Sequence, residues 1–250
     1  MENSAILTDM AVEFYKHSHS SDDGLIKFYE VQVDAGMARK LGKPVGRYST
    51  LETPAVLGGD TDSFDAVSER LCECLLGYCG KAGCTLVAGL GNPDLTADAL
   101  GSRVFKRLNV NRHLRKDRCL CALTPNVLGM TGIESFDIIY AVTKRIKPDI
   151  VIAVDALTAA ASSRIASAFQ VTDSGITPGS GVMNHRMRLD MNSLGVPVVS
   201  VGVPLVVYAS TIAGECLVGH DMVVTPKDID ILVEDCARII ANAINAMIEI

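Results

Sequence analysis

Short runs of apolar residues alternate along this chain with segments in which apolar positions recur every three or four residues. The clearest helical pattern covers residues 61–80, where Val67, Leu71 and Leu75 share one face. Buried strands separated by helices are typical of a mostly parallel sheet that is covered on both faces. The pattern therefore predicts an α/β fold with strands at 28–33, 47–53, 84–90, 119–123, 149–156, 169–173 and 197–202, and helices at 36–41, 61–80, 97–108, 135–146 and 228–248, with a further helical stretch after 202.

The first 60 residues do not follow this regular alternation. Residues 1–24 are polar and irregular, which predicts a flexible leader. The strands predicted at 28–33 and 47–53 precede the alternating region, and no composition change marks a domain boundary after them. We therefore expect a small strand-rich extension at the N-terminal side of one α/β domain.

Composition and charge narrow the classes of function. The chain has 250 residues, 48% of them hydrophobic and 21% charged, so it can fill a sizeable core. The net charge of -6 and the absence of Trp argue against non-specific nucleic-acid binding and base stacking. The apolar runs are too short for a membrane span, and the N-terminus lacks the pattern of a signal peptide. Eight cysteines without a Cys-x-x-Cys pair, and five scattered histidines, predict reduced thiols and no metal cluster.

Two aspartates follow predicted parallel strands and are the main candidates for chemistry. Asp98 lies in the segment after strand 84–90, and Asp155 ends the apolar run 151–154. Ligands of α/β sheets gather beyond the carboxyl ends of the strands, so neighbouring strands would bring both carboxylates to one crevice. Such a pair can share a proton, with one member acting as a base on water and the other as an acid. The same pair could instead bind a divalent cation through its oxygens.

Two glycine-containing loops lie near this predicted crevice. The turn that holds Gly91 and Asn92 matches a dinucleotide-binding turn only in part, because Asp94 stands where a third glycine is needed. Asp173 begins an Asp-Ser-Gly triplet like that of pepsin-like proteases, but a single copy in an α/β pattern indicates a polar turn instead. The candidates for contacts with a substrate or an oxyanion are Gly91, Asn92, Asp173, Gly179 and Ser180.

An ordered series of short motifs runs along the chain: LGKPVG at 41–46, TLE at 50–52, VAGLGN at 87–92, DALG at 98–101, RHL at 112–114, GMTGIE at 129–134, KPD at 147–149, DAL at 155–157 and GITPGSGV at 175–182. In this order the motifs resemble those of the germination protease family, whose members are endopeptidases of spore-forming bacteria. The resemblance extends from about residue 8 to about residue 245 and is far more specific than any one motif.

The resemblance implies a fold and an activity. The fold would be a three-layer, phosphorylase/hydrolase-like α/β fold similar to that of hydrogenase maturation proteases. The activity would be that of an atypical aspartic endopeptidase without a cofactor, with Asp98 and Asp155 as the essential carboxylates. Its substrates would be small acid-soluble spore proteins, degraded during germination. The enzyme would be a homotetramer in the cytoplasm of the forespore and the spore core, with no direct nucleic-acid or membrane partner.

The family also implies that the chain is made as a zymogen. Residues 8–13, TDMAVE, resemble the family's cleavage site, in which an acidic residue precedes an apolar one and glutamate follows. We therefore expect cleavage between Asp9 and Met10, with residues 1–9 as the propeptide and residues 10–250 as one peptidase domain. Residues 158–160, His185, Leu205 and Tyr208 depart from the family pattern. Two alternatives stay open: a metal-assisted peptidase that uses the same carboxylates, and an inactive spore protein that binds through the same fold.

Overall fold

A nine-stranded mixed sheet organises the part of the chain that the computed structural model describes, namely residues 8–14, 19–115, 117–179, 187–213 and 222–250. The strands are β1 His19–Asp22, β2 Lys27–Val33, β3 Gly46–Glu52, β4 Cys84–Gly89, β5 Cys119–Leu123, β6 Ile150–Ala159, β7 Ala168–Thr172, β8 Val198–Tyr208 and β9 Val223–Val224. The α-helices are α1 Ala35–Leu41, α2 Phe64–Cys79, α3 Leu100–Phe105, α4 Leu128–Thr131, α5 Ser135–Ile146, α6 Met191–Leu194, α7 Ala209–Ala213 and α8 Ile229–Glu249.

The strand order is β1-β2-β3-β7-β8-β6-β4-β5, and β9 pairs with β8. The four strands β8, β6, β4 and β5 run parallel to one another, and the other pairings are antiparallel. The predicted α/β class is confirmed. The predicted N-terminal strands are also present, and the pairing of β3 with β7 joins them to the main sheet.

Helices cover both faces of this sheet. The connection through α3 leads from β4 out to the edge strand β5, and the connection through α5 leads back past β4 to β6. Right-handed crossovers in opposite directions place their helices on opposite faces. Helices α2 and α8 contact each other, and α8 also contacts α3, so these three share a face. In α8, Val233, Ala237, Ile240 and Ile244 recur at helical spacing and are all buried.

The prediction that residues 1–24 form a flexible leader is wrong for the described part of that region. Met10 and Ala11 are fully buried, and β1 begins at His19. The reason is tertiary, because the amide of Ala11 donates to Gln170 on β7, 159 residues further along the chain. A local pattern of polar residues does not reveal so distant a partner.

Two predicted element boundaries also differ from the structure. The helix predicted at 97–108 is a 3-10 turn, Thr96–Asp98, followed by the short α3. The strand predicted at 197–202 continues to Tyr208, because its second half still pairs with β6 through Val206 and Val207. The helical stretch after it is the five-residue α7. No described helix has the length and apolar character that a membrane crossing requires.

Candidate active site

Asp155 lies where β6 passes the end of β4. The two strands are parallel neighbours, as expected, and Leu90 N donates to Val154 O at 2.8 Å just beyond their last register pair. The Asp155 side chain is thus placed next to the turn that follows β4. Asp155 is only 5% exposed, and its Oδ1 accepts a hydrogen bond from Ala156 N at 3.0 Å. A buried carboxylate needs such polar partners, because burial removes its hydration.

Asp98 is placed by the turn after β4. The amide of Asn92 donates to Asp98 Oδ2 at 2.7 Å, so the carboxylate closes the turn. Gly91 has φ +95, and a Cβ there would lie 2.0 Å from Asp98 O and 2.9 Å from Asp98 Oδ1. Only glycine fits this position, because both the conformation and the close approach exclude a side chain.

The start of α3 lies directly against the end of β4. A Cβ on Gly101 would lie 2.3 Å from Leu90 N and 2.4 Å from Leu90 O, and a Cβ on Gly89 would lie 2.3 Å from Gly101 O. Two glycines therefore allow backbone-to-backbone contact between helix and strand. This contact fixes the 3-10 turn that carries Asp98 beside the sheet.

Asp98 and Asp155 border one cavity of about 640 Å³. The structure therefore brings together the two carboxylates that the sequence singled out. Gly91, Asn92 and Gly179 also line this cavity, as expected for loops at the carboxyl ends of the strands. Its apolar lining consists of Leu95, Val127, Leu157, Ile176, Val206, Val223 and Ile229, among others. A carboxylate pair set in an apolar wall suits a polypeptide segment with apolar side chains.

A second cavity, of about 270 Å³, adjoins the first one. Asp9, Leu157 and Ile176 line both cavities and therefore separate them. The second cavity is also lined by two cationic side chains, Lys43 and Arg188. Burial lowers the pKa of Lys43, an effect that Asp9 and Glu13 oppose and that Arg188 reinforces. The Lys43 ammonium lies 4.0 Å from Asp9 Oδ1, so a carboxylate of the N-terminal segment partly compensates its burial.

The N-terminal segment 8–14 runs along the end of β6. Asp9 N donates to Thr158 O at 2.8 Å, and Thr158 N donates back to Asp9 Oδ2 at 2.9 Å. Glu13 is held more extensively: its carboxylate accepts from Ala160 N at 2.8 Å and Ala161 N at 2.9 Å. These contacts place Asp9 between the two cavities.

Arg164 completes the site around Glu13. It donates to Glu13 Oε1 at 3.1 Å and to Glu52 Oε1 at 2.7 Å. These two carboxylates raise the pKa of Arg164 although desolvation, the largest single influence, acts in the opposite direction. The sequence pattern does not reveal this network. Its members lie in three distant segments, and the one available signal was the glutamate of the predicted cleavage motif.

One of the predicted loop residues does not join the pair, and another lies outside the described residues. Asp173 is exposed, lines neither cavity, and accepts a hydrogen bond from Arg47 N at 2.8 Å, where it fixes the start of β3. Ser180 lies outside the described residues, and so does His185. Within the described ranges, no three His, Cys, Asp or Glu side chains are grouped so that they could hold a metal ion.

Sequence comparisons with known proteins agree on one family. A family described as germination protease matches residues 7–218. Germination proteases from Clostridium perfringens and Caldanaerobacter subterraneus are each 34% identical to this chain over 98% of its length. The two alignments cover 95% and 94% of those proteins. The germination protease of Bacillus velezensis is 34% identical over 90% of this chain and 83% of its own length. Among solved structures, the [NiFe] hydrogenase maturation protease HycI from Thermococcus kodakarensis KOD1 aligns with a TM-score of 0.48 and 21% identity, covering 71% of this chain and 99% of that one.

Proposed function

The chain belongs to the germination protease family, and on that basis we propose that it is an endopeptidase that cuts peptide bonds with the Asp98–Asp155 pair. The observation that carries this proposal is the convergence of two carboxylates, from β6 and from the turn after β4, on one partly apolar cavity. We propose small acid-soluble spore proteins as the substrates and germination as the occasion. Family membership supports both of these points.

The two aspartates would divide the work of hydrolysis. The ionised member takes a proton from water as the water oxygen attacks the scissile carbonyl carbon. The protonated member gives its proton to the leaving nitrogen. Asp98 is held by the amide of Asn92, and Asp155 by that of Ala156, so both carboxylates keep their orientation while the proton moves.

The chain would also cut itself. We propose that residues 1–9 form a propeptide, that cleavage falls between Asp9 and Met10, and that residues 10–250 form the active peptidase domain. Asp9 borders the cavity that contains both carboxylates, which supports self-processing. Met10 and Ala11 are fully buried, so we expect the new N-terminus to stay in place after the cut.

Family membership is the basis for the proposed location and assembly. We propose that the enzyme works in the cytoplasm of the forespore and in the spore core as a homotetramer, without nucleic-acid or membrane partners. Light scattering on the purified protein should give four times the mass of the 26.6 kDa chain. A monomer mass at micromolar concentration would contradict the proposed assembly.

The catalytic assignment is tested by isosteric substitution of each carboxylate. Asp98→Asn and Asp155→Asn should each lower the cleavage rate of a small acid-soluble spore protein by about 10²–10⁴-fold, the range for loss of an acid–base group. Asp173→Asn is the matched control, because that exposed carboxylate lies outside both cavities and should have a much smaller effect. Circular dichroism should show cooperative unfolding for all three variants. Wild-type cleavage by either of the first two would refute the assignment.

An experiment with a chelator distinguishes the metal-assisted alternative from direct activation of water by the carboxylate pair. The wild-type enzyme is dialysed against EDTA and assayed with and without added divalent cations. Unchanged activity agrees with a carboxylate pair that activates water directly. Activity that disappears with EDTA and returns with one cation would favour the metal-assisted peptidase.

A further inference from the structure

A buried glutamine binds the backbone on both sides of Met10, where we propose that the chain cuts itself. Gln170 lies on β7 and is 5% exposed. Its Nε2 donates to Asp9 O at 3.1 Å, and its Oε1 accepts from Ala11 N at 2.8 Å. The carboxamide therefore holds the carbonyl of the Asp9–Met10 bond itself.

The sheet places Gln170 on the same face as Asp155. Asp155 of β6 and Gln170 of β7 are both register partners of Gly202, on opposite sides of β8. Register partners on neighbouring strands point to the same face. Two strand spacings separate their backbones by about 10 Å.

Glycine at 202 contributes no side chain between them. The space above it is taken by Leu157, whose Cγ lies 2.5 Å from the position of a Cβ on Gly202. Leu157 and Asp9 together divide the two cavities. Gln170 lines the second cavity together with Asp9, and Asp9 also lines the cavity that holds the carboxylate pair.

We propose that Gln170 is the residue that stabilises the oxyanion during peptide cleavage. The inference rests on the proposed function and adds a donor that the glycine loops were expected to supply. Water adds through its oxygen to the Asp9 carbonyl carbon, one aspartate takes the water proton, and the C=O electron pair moves to the oxygen that Gln170 Nε2 faces. The C–N bond then breaks, the Met10 nitrogen takes a proton from the other aspartate, and the products are a carboxylate and an amine.

A neutral amide suits this position. It donates a hydrogen bond to a developing negative charge without adding a cation that would compete for the aspartates. A donor that is already aligned in a buried site needs little reorganisation when the charge develops. Removal of residues 1–9 would take away Asp9 O, the partner of Nε2, while Ala11 N keeps Oε1 in place. The donor would then be ready for the carbonyl of an incoming substrate.

Gln170→Glu is the decisive variant in the full-length chain. It keeps the acceptor for Ala11 N and removes only the donor while the new carboxyl is ionised. We expect kcat for a spore-protein peptide, and the rate of self-cleavage, to fall about 10²–10³-fold at pH 8, the range for loss of one oxyanion donor. Relative to wild type at the same pH, activity should recover at acidic pH, where the carboxyl is protonated and can donate.

Two further variants show whether the effect is chemical or structural. Gln170→Met, of similar length, should lose activity by the same factor at every pH, since it has no donor to restore. Gln32→Glu makes the same chemical change at an exposed position of β2 and should behave as wild type throughout. Unfolding followed by circular dichroism identifies folded variants, and the two-pH comparison of Gln170→Glu needs no other variant to fold.

The outcomes separate this inference from the proposed function. Wild-type kcat for Gln170→Glu at pH 8, or an equal loss at both pH values, would overturn the role of Gln170 while Asp155→Asn remains inactive. If Asp155→Asn cleaves as fast as wild type, the proposed function itself is wrong. A loss at pH 8 that is restored on acidification, in Gln170→Glu alone, supports the donor role.

Discussion

Replacing Gly101 by alanine tests the contact that positions Asp98. Gly101 lies in the first turn of α3, where a Cβ would be 2.3 Å from Leu90 N and 2.5 Å from Gly89 C. The obstacles are backbone atoms, which cannot rotate away, so the helix has to move from the strand. We expect Asp98 to move with it, because it lies three residues before Gly101.

The expected loss of stability follows from two opposing effects. Overpacking a tight site destabilises a protein by about 1–3 kcal/mol, and contact with rigid backbone places Gly101→Ala near 3 kcal/mol. Alanine in a helix returns up to about 1 kcal/mol relative to glycine. The net loss is therefore about 2 kcal/mol, which corresponds to a melting temperature lower by about 4–8 °C for a chain of this size.

Gly77→Ala is the matched control in another helix. Gly77 lies in α2, and a Cβ there meets nothing within 4 Å, so only the helix preference applies. We expect the free energy of unfolding of Gly77→Ala to exceed that of the wild type by about 0.5–1 kcal/mol. Urea unfolding followed by circular dichroism, at equal protein concentration, measures both changes, and peptide cleavage by Gly101→Ala should fall as well. A urea midpoint for Gly101→Ala at or above that of the wild type would refute the argument from close approach.

Two further predictions concern buried ionisable groups. Glu13→Gln should destabilise the fold by about 3 kcal/mol, because it breaks the buried ion pair with Arg164. Glu73→Gln, which breaks an exposed ion pair with Arg70, should destabilise the fold by less than about 1 kcal/mol. Equal urea midpoints for the two variants would contradict this prediction. Burial raises the pKa of Cys74 to about 11 and that of Cys79 to about 12, so the folded state keeps protons that the unfolded chain releases above about pH 9. The contribution of these two thiols to stability should therefore be fully present below pH 9 and should be lost as the pH rises towards 11–12. The free energy of unfolding of a Cys74→Ala, Cys79→Ala double variant should fall less over that range.

The local pattern of the sequence was enough to predict most strands of the sheet and to single out the two aspartates. Continuous apolar runs such as 84–90 and 149–156 predict buried strands because a strand covered on both faces has no polar side. The general rule that ligands gather at the carboxyl ends of parallel strands then placed Asp98 and Asp155 in one crevice. The order of the motifs along the chain supplied the family, which periodicity does not reveal.

Only the tertiary structure decided where the N-terminal segment lies and which backbone groups Gln170 contacts. Met10 and Ala11 look like two isolated apolar residues in a polar leader, and they are buried because β6 and β7 supply partners about 150 residues away. Gln170 sits inside an apolar strand and carries no motif of its own. Its alignment with Asp155 arises from a shared register with Gly202 across three strands. Side-chain register across a sheet depends on which strands pair and in what order, and that information is not present in the local sequence of any one strand.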